Sequence, residues 1–562
     1  MTKLMKRLDK FEWFILVVVL GVHAYVATHS GATVLDWFHT DDAFYYFVPA
    51  RNIAQGLGVT FDGITTTNGF HPLWLLVNVP VFALFKADPI QPLRVVVMLL
   101  ATLHAGSAVL LYRLLKRSVG TPAAQIAALF WAFSPSIHSL TAKGGIESGL
   151  NAFFLLLFWY YLVALKQGGK DTKQYLFVGI TALFTIFSRL DNIFIVFWGG
   201  IWLFFDELRL LFSPSRWAAT LKNAAAFGLP GAVGLGIYLL WNKLAVGTFM
   251  PLSGSIKSWW GYLPFTVYGT AEFKHGPLFA LVNHTFSTDI NWGPWSLVMG
   301  PMQTLGSWLG PLVPTKSLYS GIEPRVYAAF GLVILLCLAI VWGAKRVSFP
   351  AAVQLGLLPF FLAALTHSGY YNLRGSLAQR YWYWVLENIL LVLVGSVLLA
   401  ALFELLRRLI RSEDRYGRVL PLFAILAGAG MLWLHGQYIQ SSLRAPGSDE
   451  GHFYLRRTAW IENHTPEGAR IAITGAGALS YFTEGRTIVN MDGLMNGAEY
   501  FQLLQAGEGA DYLEDIGVDY VFGSQAVVKG SSPYAQMLKD KLVEDDMFVD
   551  GEREIILWEF AP

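Results

Sequence analysis

Nine stretches of this 562-residue chain are long and apolar enough to cross a bilayer, and no other feature constrains its fold so strongly. They lie at 11–29, 92–115, 121–138, 149–165, 223–246, 326–344, 349–367, 384–405 and 419–439. Hydrophobic residues make up 54% of the sequence and charged residues only 14%. A soluble domain runs at about a quarter charged, so most of this chain cannot face water. The single cysteine, Cys337, sits inside an apolar run, which excludes internal disulfides and cysteine metal clusters. A net charge of +2 with no basic run gives no sign of a nucleic-acid partner. The basic N-terminus precedes an apolar run with no small-residue cleavage site after it, and reads as a retained first span.

Basic clusters set the orientation. Placing Lys3/Lys6/Arg7, Lys116/Arg117, Lys166/Lys170/Lys173, Arg209/Arg216/Lys222, Lys345/Arg346 and Arg407/Arg408/Arg411/Arg415/Arg418 in the cytoplasm gives a consistent alternation on two conditions. The stretch 72–86 must lie on or dip into the outer leaflet, and 175–205 must enter and return as two arms of about thirteen residues. The turn Ser188-Arg189-Leu190-Asp191-Asn192 then sits below the outer surface, where ionisable groups normally face a water-filled cavity. The expectation is a polytopic α-helical membrane protein of about eleven crossings, in the inner (plasma) membrane, with a cytoplasmic N-terminus. Residues 1–440 form the membrane domain and 441–562 a small extracytoplasmic α/β domain. Strands are expected at 469–474, 487–491 and 518–523, and helices near 451–463, 497–505 and 509–516. Gly475-Ala-Gly-Ala-Leu-Ser reads as a tight strand-to-helix turn, since the third glycine of a phosphate-binding turn is missing.

The polar residues gather on the outward stretches. Thr40-Asp41-Asp42-Ala-Phe-Tyr-Tyr pairs two acids against an aromatic helix. Capping explains one acid, and a general base explains a second. Asn68-Gly-Phe-His71-Pro supplies a turn, with His71 either an interface anchor or a ligand. Glu147 begins a span, where an acid is ordinary, and Arg189 with Asp191 can be a structural ion pair. Pro251-Leu-Ser253-Gly-Ser255-Ile-Lys257 offers hydroxyls, backbone N–H groups and an ammonium to a phosphate, or else a snorkelling lysine. Arg374 and Arg380 sit at an outer helix end, against the positive-inside trend.

Together these stretches resemble the GT-C membrane glycosyltransferases, above all bacterial enzymes similar to terminal arabinofuranosyltransferases. More distantly they resemble aminoarabinose transferases and protein O-mannosyltransferases. The likeness runs over roughly residues 10 to 260, through Thr40–Tyr46, Ala50–Phe61, Thr67–Trp74, Gly145–Ser148, Ser188–Asp191 and Pro251–Lys257. Leu190 departs from the proline common in relatives. The resemblance implies an inverting transfer of a sugar, such as arabinofuranose, from a polyprenyl-phosphate donor to an envelope glycan, lipid or protein. Asp41, ahead of Asp42, would act as base. Lys257, Arg189, Arg380, Ser253 and Ser255 would hold the donor phosphate, and His71, Asn68, Glu147, Asp191 and Arg51 the substrates. No cofactor and no metal ligand set is implied, although a divalent ion stays open. The rival reading is a transporter or lipid flippase, which predicts broken helices and paired repeats; no repeat is found.

Overall fold

The computed structural model describes residues 8–38, 40–85, 88–168, 171–208, 217–268, 293–309, 324–373, 380–443, 451–550 and 553–561. Among these, seven helices have the length and apolar character of a membrane span. They are Lys10–Ala27, Gln91–Val119, Ser148–Gly168, Trp217–Ala245, Pro324–Gly343, Tyr381–Ile410 and Glu413–Leu443. An eighth is broken, with Lys345–Gln354 and Leu357–Leu373 meeting at 62°. The break holds Gly356 at a φ of +64°, where a side chain would press into the Trp202 ring at 2.9 Å.

Eight of the eleven expected crossings coincide with these helices, and the other three stretches form shorter helices. In 121–138, helix Thr121–Phe133 stops after 13 residues, because Ser134 is extended ahead of Pro135. The chain then turns through Pro135–His138 and a π-helical turn, Ser139–Lys143. The two arms of 175–205 are helices Thr172–Ser188 and Ile193–Leu208, of 17 and 16 residues. Each spans about 25 Å, more than the thirteen-residue arms expected. Asp171 starts the first arm early by accepting the Lys173 N–H. The stretch 72–86 forms the short apolar helix Pro72–Leu84.

The C-terminal domain is a five-stranded sheet in the order β2-β1-β3-β5-β4. Strands β1 (Arg470–Ile473), β2 (Thr487–Asn490) and β3 (Tyr520–Gly523) fall where the sequence places them. They pair in parallel, with helices Phe453–His464, Ala498–Ala506 and Gly509–Asp515 packed around them. Strands β4 (Leu542–Asp550) and β5 (Arg553–Phe560) add an antiparallel hairpin absent from the sequence reading. The run Glu544-Asp545-Asp546 breaks the apolar alternation of β4, an edge strand with Val543 and Val549 exposed.

The domain sits on the stretch that follows the first span. Phe44 packs edge-on or tilted against Tyr454, Tyr481 and Phe482 at 5.2–5.7 Å. Arg51 donates to the carbonyls of Tyr481 and Ser480, at 2.6 and 3.0 Å.

Candidate active site

A cavity of about 450 Å³ opens where the stretch after the first span, the 188–192 turn, helix Leu252–Trp260 and the turn Tyr381–Trp384 converge. Eight of the twelve residues named from sequence line it: Asp42, His71, Glu147, Arg189, Asp191, Ser253, Ser255 and Lys257. A larger cavity, about 1160 Å³, lies among the membrane helices, but no carboxylate or amine lines it.

The two acids part company. Thr40 caps the short turn Asp41–Ala43 by accepting the Asp42 N–H, and the carboxylates then point in different directions. Asp42 faces the cavity, and among the described residues no side chain hydrogen-bonds its carboxylate. Asp41 turns away and accepts the N–H groups of Gly477 and Ala478, at 2.9 and 2.7 Å. Burial pushes the Asp41 carboxyl up to about 7 despite those bonds, with Asp42 adding to the rise. The order expected from sequence, Asp41 first, therefore does not match the geometry. The Gly475 turn is tight, as expected, and the N–H groups that follow it hold the chain's own Asp41 carboxyl, which a Cβ at Gly477 would overlap.

Below Asp42 lies a buried ionic chain. Arg189, 2% exposed, pairs with Glu147 and, at 2.8 Å, with Asp191. Its guanidinium also lies 4.8 Å over the Tyr383 ring. Glu147 accepts the Tyr46 hydroxyl at 2.7 Å, and His71 approaches it at 3.9 Å. Burial works against the Glu147 charge, but Arg189, His71 and Tyr46 outweigh it and hold the carboxyl below its usual range. His71 is pushed down to about 4 by burial. Asp191 accepts the Tyr371 hydroxyl at 2.6 Å and meets His367 at 3.3 Å; His367 in turn meets Glu387 at 2.8 Å. Sequence reasoning missed Tyr46, Tyr371, Tyr383, His367 and Glu387. The last two carried a signal, as ionisable residues inside the apolar runs 349–367 and 384–405.

Lys257 is held differently. Its ammonium contacts the Tyr383 hydroxyl at 2.8 Å, and among the described residues no carboxylate lies within ion-pair distance. Burial opposes its charge, yet Tyr383 and the nearby Asp42 outweigh that and push its pKa up. Asn68 does not line the cavity. It accepts the Leu252 N–H at 3.0 Å and so fixes the start of the helix that presents Ser253, Ser255 and Lys257. Arg380 lies over the Tyr268 ring at 5.1 Å, outside the lining. Arg51 is likewise outside, bound to the C-terminal domain. Arg374 lies outside the described residues. Among the described residues no group of three or more His, Cys, Asp or Glu is arranged to hold a metal ion.

The fold has solved counterparts. ArnT from Cupriavidus metallidurans, bound to undecaprenyl phosphate, aligns over 98% of this chain and 98% of its own, with 13% identity and a TM-score of 0.52. The fold is that of the GT-C membrane glycosyltransferases. Residues 72–244 match the dolichyl-phosphate-mannose-protein mannosyltransferase family, and 445–553 match a domain family of unknown function. The archaeal oligosaccharyltransferase AglB from Archaeoglobus fulgidus, with an inhibitory peptide and a dolichol-phosphate, aligns over 98% of this chain and 74% of its own. Its identity is 13% and its TM-score 0.48. Arabinofuranosyltransferase AftD from Mycobacteria aligns over 99% of this chain and 42% of its own, at 13% identity and a TM-score of 0.42. No curated protein matches the sequence at a significant level.

Proposed function

We propose that this GT-C protein is an inverting glycosyltransferase that moves a sugar from a polyprenyl-phosphate donor to an envelope acceptor on the outer face of the membrane. The observation that carries the reading is one cavity in which an unengaged carboxylate, Asp42, shares the walls with a half-buried ammonium, Lys257. The acceptor hydroxyl gives its proton to Asp42 while its oxygen attacks the anomeric carbon. The bond from that carbon to the phosphate oxygen breaks, and its electron pair leaves with the lipid phosphate. A phosphate is a weak base, so the departing group needs positive charge rather than a general acid. Lys257 supplies that charge, helped by the Ser253 and Ser255 hydroxyls at the start of helix Leu252–Trp260.

Arg189 keeps a supporting place. Glu147 and Asp191 already balance its charge, so it shapes the wall and leaves the phosphate to Lys257. Undecaprenyl phosphate in the similar ArnT structure supports a lipid-phosphate donor. The sugar proposed is a pentofuranose such as arabinofuranose, on the resemblance of the first outer stretch, and the acceptor is a glycan, lipid or protein of the envelope. The orientation proposed puts the cavity and the C-terminal domain outside the cell.

The test is single-turnover release of lipid phosphate by the purified protein, given polyprenyl-phosphate arabinofuranose and membrane extract as acceptor. Release that depends on Asp42 supports the reading. No release with pentose or hexose donors, alongside lipid movement between leaflets, would favour a flippase.

A further inference from the structure

The C-terminal domain reaches the cavity through one segment. After β2 the chain runs Asn490-Met-Asp492-Gly-Leu-Met495, and Leu494 forms part of the cavity wall. On one side the segment meets the first outer stretch. The Tyr45 hydroxyl donates to Asp492 at 3.4 Å, and Tyr45 itself lines the cavity. The Leu494 carbonyl lies so close to Gly69 that any Cβ there would overlap it. On the other side Gly493, at a φ of +82°, faces Ile256, which a Cβ would meet at 3.1 Å. Ile256 is wholly buried and belongs to the helix that carries Lys257.

The segment is also braced from within. Asp492 accepts the N–H groups of Gly475 and Leu494, both at 3.1 Å, and Asn490 accepts the Met495 N–H at 3.0 Å. Asp492 is 7% exposed, and among the described residues no cation pairs with it. A buried carboxyl group is costly unless it is hydrogen-bonded, and these bonds fix its direction. Burial pushes its pKa up, against those two N–H groups.

We propose that the segment Asp492–Met495 is a positioning element of the active site, wedged between the stretch that bears Asp42 and the helix that bears Lys257, so that it sets their separation. This rests on the reading of those two residues as base and phosphate ligand. In-line transfer needs the acceptor oxygen and the anomeric carbon at near-attack distance, and a wall displaced by about 1 Å costs on the order of 10²-fold in rate. A domain of unknown function would thereby belong to the catalytic unit.

Hydrogen–deuterium exchange on the full chain tests this, with and without undecaprenyl phosphate. Without lipid, Asp492→Ala should raise exchange at 253–257 and 67–71 by about tenfold, with helix Gln91–Val119 unchanged. With lipid, the wild type should protect 253–257 and 492–495 together. Faster exchange confined to 490–497, with 253–257 unmoved, would overturn the proposal. If the lipid protects neither segment, the donor-site reading fails, while the lipid-free comparison still judges the positioning role. Gly493→Val serves as a second variant if Asp492→Ala folds poorly. A kinetic readout separates positioning from mere stability: kcat should fall about 10²-fold while the affinity for undecaprenyl phosphate changes much less. Equal losses in both would refute it.

Discussion

The stretch after the first span has two faces, and they differ in how their polar groups are satisfied. Toward the C-terminal domain, Asp41 binds two backbone N–H groups and Arg51 binds two carbonyls. Toward the cavity, Asp42 has no bonded side-chain partner among the described residues, and Lys257 has only the Tyr383 phenol. Groups already matched by the protein hold the fold together, whereas groups left facing a cavity are open to a ligand. Two adjacent acids therefore belong to different tasks, and the division between them is the point most exposed to experiment.

The largest expected effect is on the cavity face. Asp42→Asn keeps size and hydrogen bonding but removes the basic lone pair. Transfer should fall by about 10² to 10⁴ while binding of undecaprenyl phosphate stays nearly intact. Asp41→Asn should transfer within about tenfold of wild type on the same scale. The opposite ranking would restore Asp41 as base and break the contrast between the faces.

The two cations of the cavity sharpen the contrast further. Arg189→Ala takes from buried Glu147 and Asp191 the cation that bridges them, leaving His71 and His367 beside them, so it should destabilise the protein by about 3–5 kcal/mol, seen as a lower thermal midpoint. Lys257→Ala removes no ion pair and should leave stability nearly unchanged. It should instead weaken undecaprenyl phosphate by about 10- to 100-fold, the value of a charged hydrogen bond of about 1.5–3 kcal/mol. If Arg189→Ala were the variant that lost lipid while staying stable, the phosphate would belong to Arg189.

How far the sequence carries this picture depends on the range of the interaction. Long apolar runs and the short strands β1 to β3 are local patterns and were readable. The ionic turn at 188–192 was also readable, because charge at membrane depth is rare. The helix ends were not, because a single Ser134-Pro135 pair and an Asp171 cap move them by several residues. Strands β4 and β5 were hidden by three consecutive carboxylates on an edge. The direction of each acid was out of reach, since Asp41 is claimed by residues 436 and 437 positions away. The partnership of His367 with Asp191 is likewise a product of tertiary packing.

On the domain face, Arg51→Ala deletes two bonds to carbonyls and a stack 5.3 Å over Tyr481. A loss of about 1–3 kcal/mol is expected, read as faster exchange in helix Gly477–Phe482 with unchanged affinity for undecaprenyl phosphate. A variant that lost lipid affinity instead would place Arg51 among the binding residues.

The smallest effect concerns pH, and its sign follows from Asp41. Its carboxyl titrates at about 7 in the folded protein, against an ordinary value of 3.8. The folded state then holds this proton more tightly than the unfolded chain between those two values. Stability from this group is complete below about pH 4 and declines as pH rises toward 7, beyond which it is flat. The residue as a whole is only partly buried and the two N–H groups favour its charge, so the full shift should be discounted. Asp41→Asn cannot titrate, and its oxygen can still accept one of the two N–H groups. Thermal midpoints measured from pH 4 to 8 should therefore slope downward in the wild type and less so in Asp41→Asn. Identical slopes would mean that Asp41 is ionised throughout, and that its hold on Gly477 and Ala478 is a permanent charged cap.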